Sequence, residues 1–181
     1  MSAVPIEYYT YENYREWEGD WELIDGIPYA MSPAPMKKHQ YLSYTIAFEL
    51  RRNLNCKECE VLGEVDYKVN SDTVLRPDVI LTCNDHGIQH LIKAPEIVFE
   101  VISPSSAKRD ETLKFQIYEE EGVQFYILVY PDDLKAKIYE LKNGKYQKVG
   151  DFSKEIFDFG ICEVKVDFEK VFERYRKRVD V

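Results

Sequence analysis

Leu75-Arg-Pro-Asp-Val-Ile-Leu81 and Pro95-Glu-Ile-Val-Phe-Glu-Val-Ile-Ser-Pro104, with the helical stretch that leads on to Lys114, are the segments around which the chain is organised. Short runs rich in Val and Ile, bounded by polar residues and proline, predict buried strands. Each run carries an acid where a core strand should have none: Asp78 in the first and Glu100 in the second. A carboxylate taken out of water is strongly destabilising unless a cation meets it, and two on neighbouring strands also repel each other. A hard divalent cation between them resolves both conflicts.

Outward from this centre, Ser103-Pro104 ends the second strand, and a helix is expected from near Ser106 to the C′ glycine Gly122. In that helix Leu113 and Ile117 repeat at i and i+4 and predict the buried stripe, with Lys114 at its edge. A lysine stem lying along the sheet would bring its ammonium to Glu100, and Lys114→Met is expected to leave folding nearly intact. Upstream, Glu60–Val69 and Val74–Cys83 read as a hairpin around Asn70-Ser-Asp-Thr73, and Asn84–Ala94 as a polar loop. Thr10–Trp17 reads as a short capped helix after a frayed lead, and Trp21–Met31 as a hairpin turning at Asp25-Gly26. Ser32-Pro-Ala-Pro35 breaks the chain before an amphipathic helix from Met36 to Asn55, with His39 in its first turn. Downstream, Phe125–Tyr130 and Ala136–Leu141 are strands, Asn143-Gly144 turns into Tyr146–Val149, Glu163–Val166 is a last short strand, and Asp167 caps a helix to about Arg178. The expectation is one domain over residues 1–181, a mixed α/β fold with a twisted sheet and a helix or two on each side.

The chain has 181 residues, a net charge of −9 and 45% hydrophobic residues, enough for a full core. Its acidic field repels phosphates, so non-specific coating of nucleic acid is excluded, and a nucleic-acid substrate requires a basic patch or divalent ions. No apolar run reaches membrane length and no signal peptide is evident, which gives the expectation of a cytoplasmic protein with no membrane partner. Of the four cysteines, Cys56 and Cys59 form C-x-x-C, and Cys83 with His86 forms C-x-x-H. The hairpin would bring Cys59 near Cys83, so a structural zinc site is conceivable; small buried thiols in a reducing compartment are the alternative.

Taken in order, Glu22-Leu23-Ile24-Asp25-Gly26, His39, Arg76-Pro77-Asp78, Glu100-Val101-Ile102-Ser103-Pro104-Ser105, and Arg109-Asp110 leading to Lys114 resemble the PD-(D/E)XK nuclease superfamily, and within it the subgroup called the Uma-two endonucleases. The resemblance covers roughly residues 8 to 150. It implies a restriction-endonuclease-like core and metal-dependent cleavage of nucleic-acid phosphodiesters. The superfamily's acid-x-Lys lysine is Ile102 here, and the subgroup's displaced lysine corresponds to Lys114. On this reading Glu22, Asp78 and Glu100 are metal ligands for Mg²⁺ or Mn²⁺, and Lys114 and His39 join them as catalytic residues. The substrate is nucleic acid, DNA in the first instance, and cutting two strands with one site per chain favours a homodimer.

Each residue also has a plainer reading. Asp78 could accept hydrogen bonds from a loop, Glu100 could pair with Lys114 or Arg76, Glu22 could be solvated, and His39 could be a surface or capping residue. Ser103 and Ser105 read as turn and cap residues. Two other functions stay open: a catalytically inactive nuclease-fold module that binds nucleic acid or protein, and a small-molecule or metal-sensing dimer.

Overall fold

The computed structural model describes residues 7–31 and 36–176; the expected break at 32–35, and the ends of the N-terminal lead and of the C-terminal helix, lie outside the described residues. Helix α1 (Tyr11–Tyr14) starts at Thr10, whose N–H donates to Asn13 Oδ1 at 2.9 Å. Strands β1 (Trp21–Ile24) and β2 (Ile27–Ala30) turn through Asp25 and Gly26, both left-handed, as a two-residue hairpin of this kind requires. Helix α2 spans Lys37–Asn53. The hairpin expected from 60 to 83 is instead split between two sheets. Its outer ends, β3 (Cys59–Leu62) and β6 (Val79–Cys83), pair in the main sheet, with Cys59 opposite Cys83 as expected. Its inner ends, β4 (Tyr67–Lys68) and β5 (Val74–Leu75), join β1 and β2 in a small sheet ordered β2-β1-β5-β4.

The main sheet has six strands in the order β10-β9-β8-β7-β6-β3. Here β7 is Ile97–Val101, β8 Phe125–Tyr130, β9 Lys135–Lys142 and β10 Lys145–Phe152. Only β7 and β8 are parallel, joined by a helical crossover made of α3 (Ala107–Arg109), a π-helical turn (Asp110–Lys114) and α4 (Phe115–Glu120). Gly122, with φ +82°, ends this helix in the conformation that favours glycine. A short hairpin of β11 (Ile156–Asp158) and β12 (Lys165–Asp167) leads to α5 (Phe168–Arg176), where Asp167 accepts from Glu169 N–H at 3.1 Å. Strand β11 is not among the elements expected from the sequence. The fold is therefore mixed, as expected: a twisted sheet with helices on both sides.

Strand alternation divides the core into two faces. Ile97, Phe99, Val101, Ile127 and Val129 pack under Leu42, Ile46 and Leu50 of α2 and Phe168, Val171 and Phe172 of α5. Val98, Tyr126 and Leu128 face Tyr118 of α4 and Ile24 and Leu75 of the small sheet. The crossover helix is turned relative to expectation. Its buried residues are Asp110, Lys114 and Tyr118, spaced by four, while Leu113 is 39% exposed. The charged residues take the inner stripe because the facing sheet supplies carboxylates.

The cysteines are also rearranged. They pair as Cys56–Cys162 and Cys59–Cys83, and His86 is exposed and takes no part. Among the described residues no helix is long and apolar enough to cross a membrane.

Candidate active site

Asp78 stands immediately before β6 and Glu100 near the end of β7. The antiparallel register Val79↔Phe99, continued by one step, sets them opposite each other. Gly63 passes close to this point: a Cβ there would lie 3.2 Å from the Asp78 carbonyl oxygen, a contact that a side chain could make only if the neighbouring strand gave by a few tenths of an ångström. Pro77 has no N–H to continue the ladder, and its carbonyl accepts instead from Glu64 N–H. Asp78 Oδ2 accepts from Val101 N–H at 2.6 Å and lies 3.2 Å from His39 Nε2. The first turn of α2 thus delivers His39 to Asp78.

Glu100 lies on the face of β7 that it shares by alternation with Val98, where it is 3% exposed. Its Oε1 accepts from Tyr118 O–H at 3.1 Å and from the Lys114 ammonium at 2.6 Å. Lys114, 2% exposed, also reaches Glu22 Oε1 at 2.8 Å and Asp110 Oδ1 at 3.6 Å. Glu22 comes from β1, and the same oxygen accepts from Arg76 N–H at 3.0 Å. Its other oxygen lies 3.0 Å from Arg109 Nε, yet neither atom makes a hydrogen bond of acceptable geometry. The Arg76 guanidinium pairs elsewhere, with Asp20 and Asp66. Ser103 and Ser106 bond to each other as turn residues at the head of the crossover helix.

Glu22, His39, Asp78, Glu100 and Lys114 all line one cleft of about 360 Å³. Sequence reasoning did not name Arg109 or Asp110 as site residues, although both line it too. The signal for Asp110 was available: it stands four residues before Lys114, the spacing at which helical side chains meet. The π-helical turn between them is a rare feature that recurs at functional sites.

The acids outnumber the cations. With every carboxyl ionised and His39 neutral, Glu22, Asp78, Glu100 and Asp110 would set four negative charges against the two cations Lys114 and Arg109, an excess that protons on the acids and on His39 relieve. Burial, followed by the neighbouring acids, pushes Glu100 well above the usual carboxylate range despite the opposing Lys114. Burial also raises Asp110. Burial alone would lower Lys114, but Glu100, Glu22 and Asp110 outweigh it and hold the ammonium charged. For His39 burial likewise opposes the charge, and the hydrogen bond and charge of Asp78 reverse the sign, so its pKa is raised.

The residues fit a hard divalent cation in three respects. All the candidate donors are carboxylate oxygens, acids outnumber the cations beside them, and Glu22 Oε2 is buried without a hydrogen bond. With Lys114 inserted between Glu22 and Glu100, the carboxylates stand apart. Among the described residues the group of three possible ligand atoms that closes to within 4.8 Å is Cys56, Cys59 and Cys162.

The fold recurs in a solved structure from Anabaena variabilis, described as "a putative nuclease belonging to DUF820", with a TM-score of 0.73 and 15% identity over 93% of this chain and 98% of that one. The chain is also 31% identical over 147 residues, 76% of each protein, to the uncharacterized protein slr1290 of Synechocystis. Residues 6–156 match the Uma2 family, whose description reads "Putative restriction endonuclease". The chain belongs to that family and, with its fold, to the restriction-endonuclease-like superfamily.

Proposed function

We propose that the protein is a divalent-metal-dependent endonuclease that hydrolyses phosphodiester bonds of nucleic acid, DNA in the first instance. The observation that carries this reading is the cleft in which three buried acids, Glu22, Glu100 and Asp110, surround one buried cation, Lys114, with Asp78 and Arg109 half-buried beside them. Glu22, Asp78 and Glu100 would hold Mg²⁺ or Mn²⁺, which would supply Lewis-acid charge at the phosphate and a water acidified towards neutral pH. Lys114 would hold the attacking water or neutralise charge developing on the phosphate, and Arg109 would orient a non-bridging phosphate oxygen. His39, hydrogen-bonded to Asp78, would hold or move a proton on the leaving side. With a net charge of −9, substrate approach relies on this local arrangement and not on the field of the whole protein. A homodimer would supply two such clefts for the two strands.

Supercoiled plasmid incubated with the protein and Mn²⁺ should be nicked or linearised, and Asp78→Ala should abolish this. Cleavage that persists in Asp78→Ala, or that needs no metal, overturns the proposal. One observation favours the inactive binding module as a second reading: Lys114 already neutralises Glu22 and Glu100 within 2.8 Å. On that reading Mn²⁺ produces neither cleavage nor a change in melting temperature.

A further inference from the structure

The chain has four cysteines, drawn from three distant parts of the sequence, and they meet at one place. Cys56 and Cys59 flank the turn between α2 and β3, Cys83 ends β6, and Cys162 lies in the connection between β11 and β12. Beyond the pairs Cys56–Cys162 and Cys59–Cys83, Cys59 Sγ is 3.5 Å from Cys162 Sγ, across the two disulfides. The sulfurs of Cys56, Cys59 and Cys162 lie within 4.8 Å of one another, and Cys83 is bonded to this set through Cys59.

Zinc held tetrahedrally by thiolates at about 2.3 Å separates its sulfurs by about 3.8 Å. The gap between the two disulfides already has nearly that value. The C-x-x-C spacing of Cys56 and Cys59 is a zinc-ligand spacing, and four thiolates are a complete structural donor set. The backbone brings the segments together independently of the sulfurs. Asn55 N–H donates to the Cys162 carbonyl at 3.1 Å, Asn84 N–H donates to the Glu58 carbonyl at 2.8 Å, and β3 pairs with β6 along Cys59–Leu62. Reduction would leave four thiols in place. Cys56 and Cys59 also border a surface depression with Arg51, Lys57 and Glu60, which gives an ion a route in.

We propose that the reduced chain binds one Zn²⁺ through Cys56, Cys59, Cys83 and Cys162, and that the two disulfides are the metal-free, oxidised state of this site. In the reduction each disulfide takes two electrons and two protons from a dithiol, which becomes a disulfide, and four cysteine thiols result. Zinc then binds the four thiolates and up to four protons pass to the buffer. The site stands at the far end of β6 from Asp78, about 17 Å along the strand. Its role is to clamp the C-terminal hairpin to α2 and β3.

The test uses the full chain, reduced with a phosphine, supplied with Zn²⁺ and passed over a desalting column. The expected result is one retained zinc per chain, with all four cysteines protected from alkylation as read by intact mass. Co²⁺ in place of zinc should give the intense visible and thiolate charge-transfer bands of a tetrahedral sulfur site. The bands should be unchanged in His86→Ala, and the retained zinc should be lost in Cys162→Ser. The oxidised chain should retain no zinc at this site. Should Cys162→Ser fail to fold, the alkylation pattern of the wild type decides: protection of four cysteines supports the proposal and protection of fewer overturns it. It also falls if the reduced chain retains no zinc, or if His86→Ala removes the cobalt bands. The readout does not depend on the acidic cleft, since Asp78→Ala keeps all four sulfurs and should keep their cobalt bands whether or not the protein is a nuclease.

Discussion

The two faces of the main sheet are built on opposite principles from the same strands. Towards α2 and α5, β7 presents Ile97, Phe99 and Val101 to a surface of Leu, Ile, Val and Phe. Towards the crossover helix it presents Val98 and Glu100, and the helix answers with Asp110, Lys114 and Tyr118. The first face is held by non-directional burial that tolerates a similar apolar side chain. The second is held by opposite charges out of water, where attraction and desolvation nearly cancel and loss of either partner exposes the full cost. One face carries stability, and the other gathers more acids than cations at a cleft.

The comparison breaks most easily on the apolar side. Phe99, fully buried beneath α2, should cost about 3–5 kcal/mol when replaced by alanine. Urea unfolding should register this as a lower midpoint with little change in slope. Any rise in melting temperature given by Mn²⁺ should be as large in Phe99→Ala as in the wild type, because the acids are untouched. A lost Mn²⁺ response would mean that the two faces are not independent.

Lys114→Met tests the charged side. Read from sequence alone this change is mild, because periodicity sets Lys114 at the edge of an apolar stripe. With the ammonium buried among Glu22, Glu100 and Asp110, it instead removes the partner of three carboxylates and should cost about 3–5 kcal/mol without metal. Under the nuclease reading Mn²⁺ should recover part of this, stabilising the folded state by mass action, about 2.7 kcal/mol at a hundredfold excess over Kd. Thermal melts of both proteins with and without Mn²⁺ decide the matter. A Lys114→Met protein as stable as the wild type would show that Glu100 and Asp110 are simply protonated.

The next effect is smaller. Tyr118→Phe removes only the hydroxyl that donates to Glu100 Oε1 and should cost about 1–2 kcal/mol, with cleavage reduced less than in Lys114→Met. An unchanged midpoint would mean that Lys114 alone satisfies Glu100.

Most of the framework was legible because its signals are local. Asp25-Gly26 and Asn143-Gly144 require left-handed turns, and Phe125–Tyr130 has strand composition from end to end. The pairing of Asp78, Glu100 and Lys114 in one cleft was legible for another reason: acids in apolar strands have few affordable neighbours. What escaped depends on distant partners. The rotation of the crossover helix follows from Glu22, more than eighty residues upstream, and periodicity cannot register a polar inner stripe. The split of the 60–83 hairpin follows from Gly63, left-handed Glu64 and Pro77, which interrupt a ladder that strand propensity alone would continue. Cys162 stands 106 residues from Cys56, so spacing pointed to His86 instead. Strand β11 has three residues, too few for alternation to be visible.

The smallest effect sits at the seam between the two faces, where His39 from α2 meets Asp78. Burial and the positive end of the helix both oppose a charged imidazole, and Asp78 with Glu64 outweighs them, so the folded-state pKa lies above 6.5. A raised histidine pKa means that the folded state binds more protons than the unfolded one between those two values. The resulting stabilisation is complete below the unfolded value and is lost as pH rises through the folded one. Unfolding midpoints should therefore fall on going upward from pH 6.5 in the wild type relative to His39→Gln, and taking the difference removes the contribution of Glu100, which both proteins share. A bound divalent ion competes with the histidine proton for Asp78, so Mn²⁺ should flatten the slope in the wild type and leave His39→Gln unaffected. If the two proteins track each other across this range, Asp78 does not hold a charged His39. If the slope survives saturating Mn²⁺, the ion binds away from Asp78 and the cleft must be assigned a different ligand set.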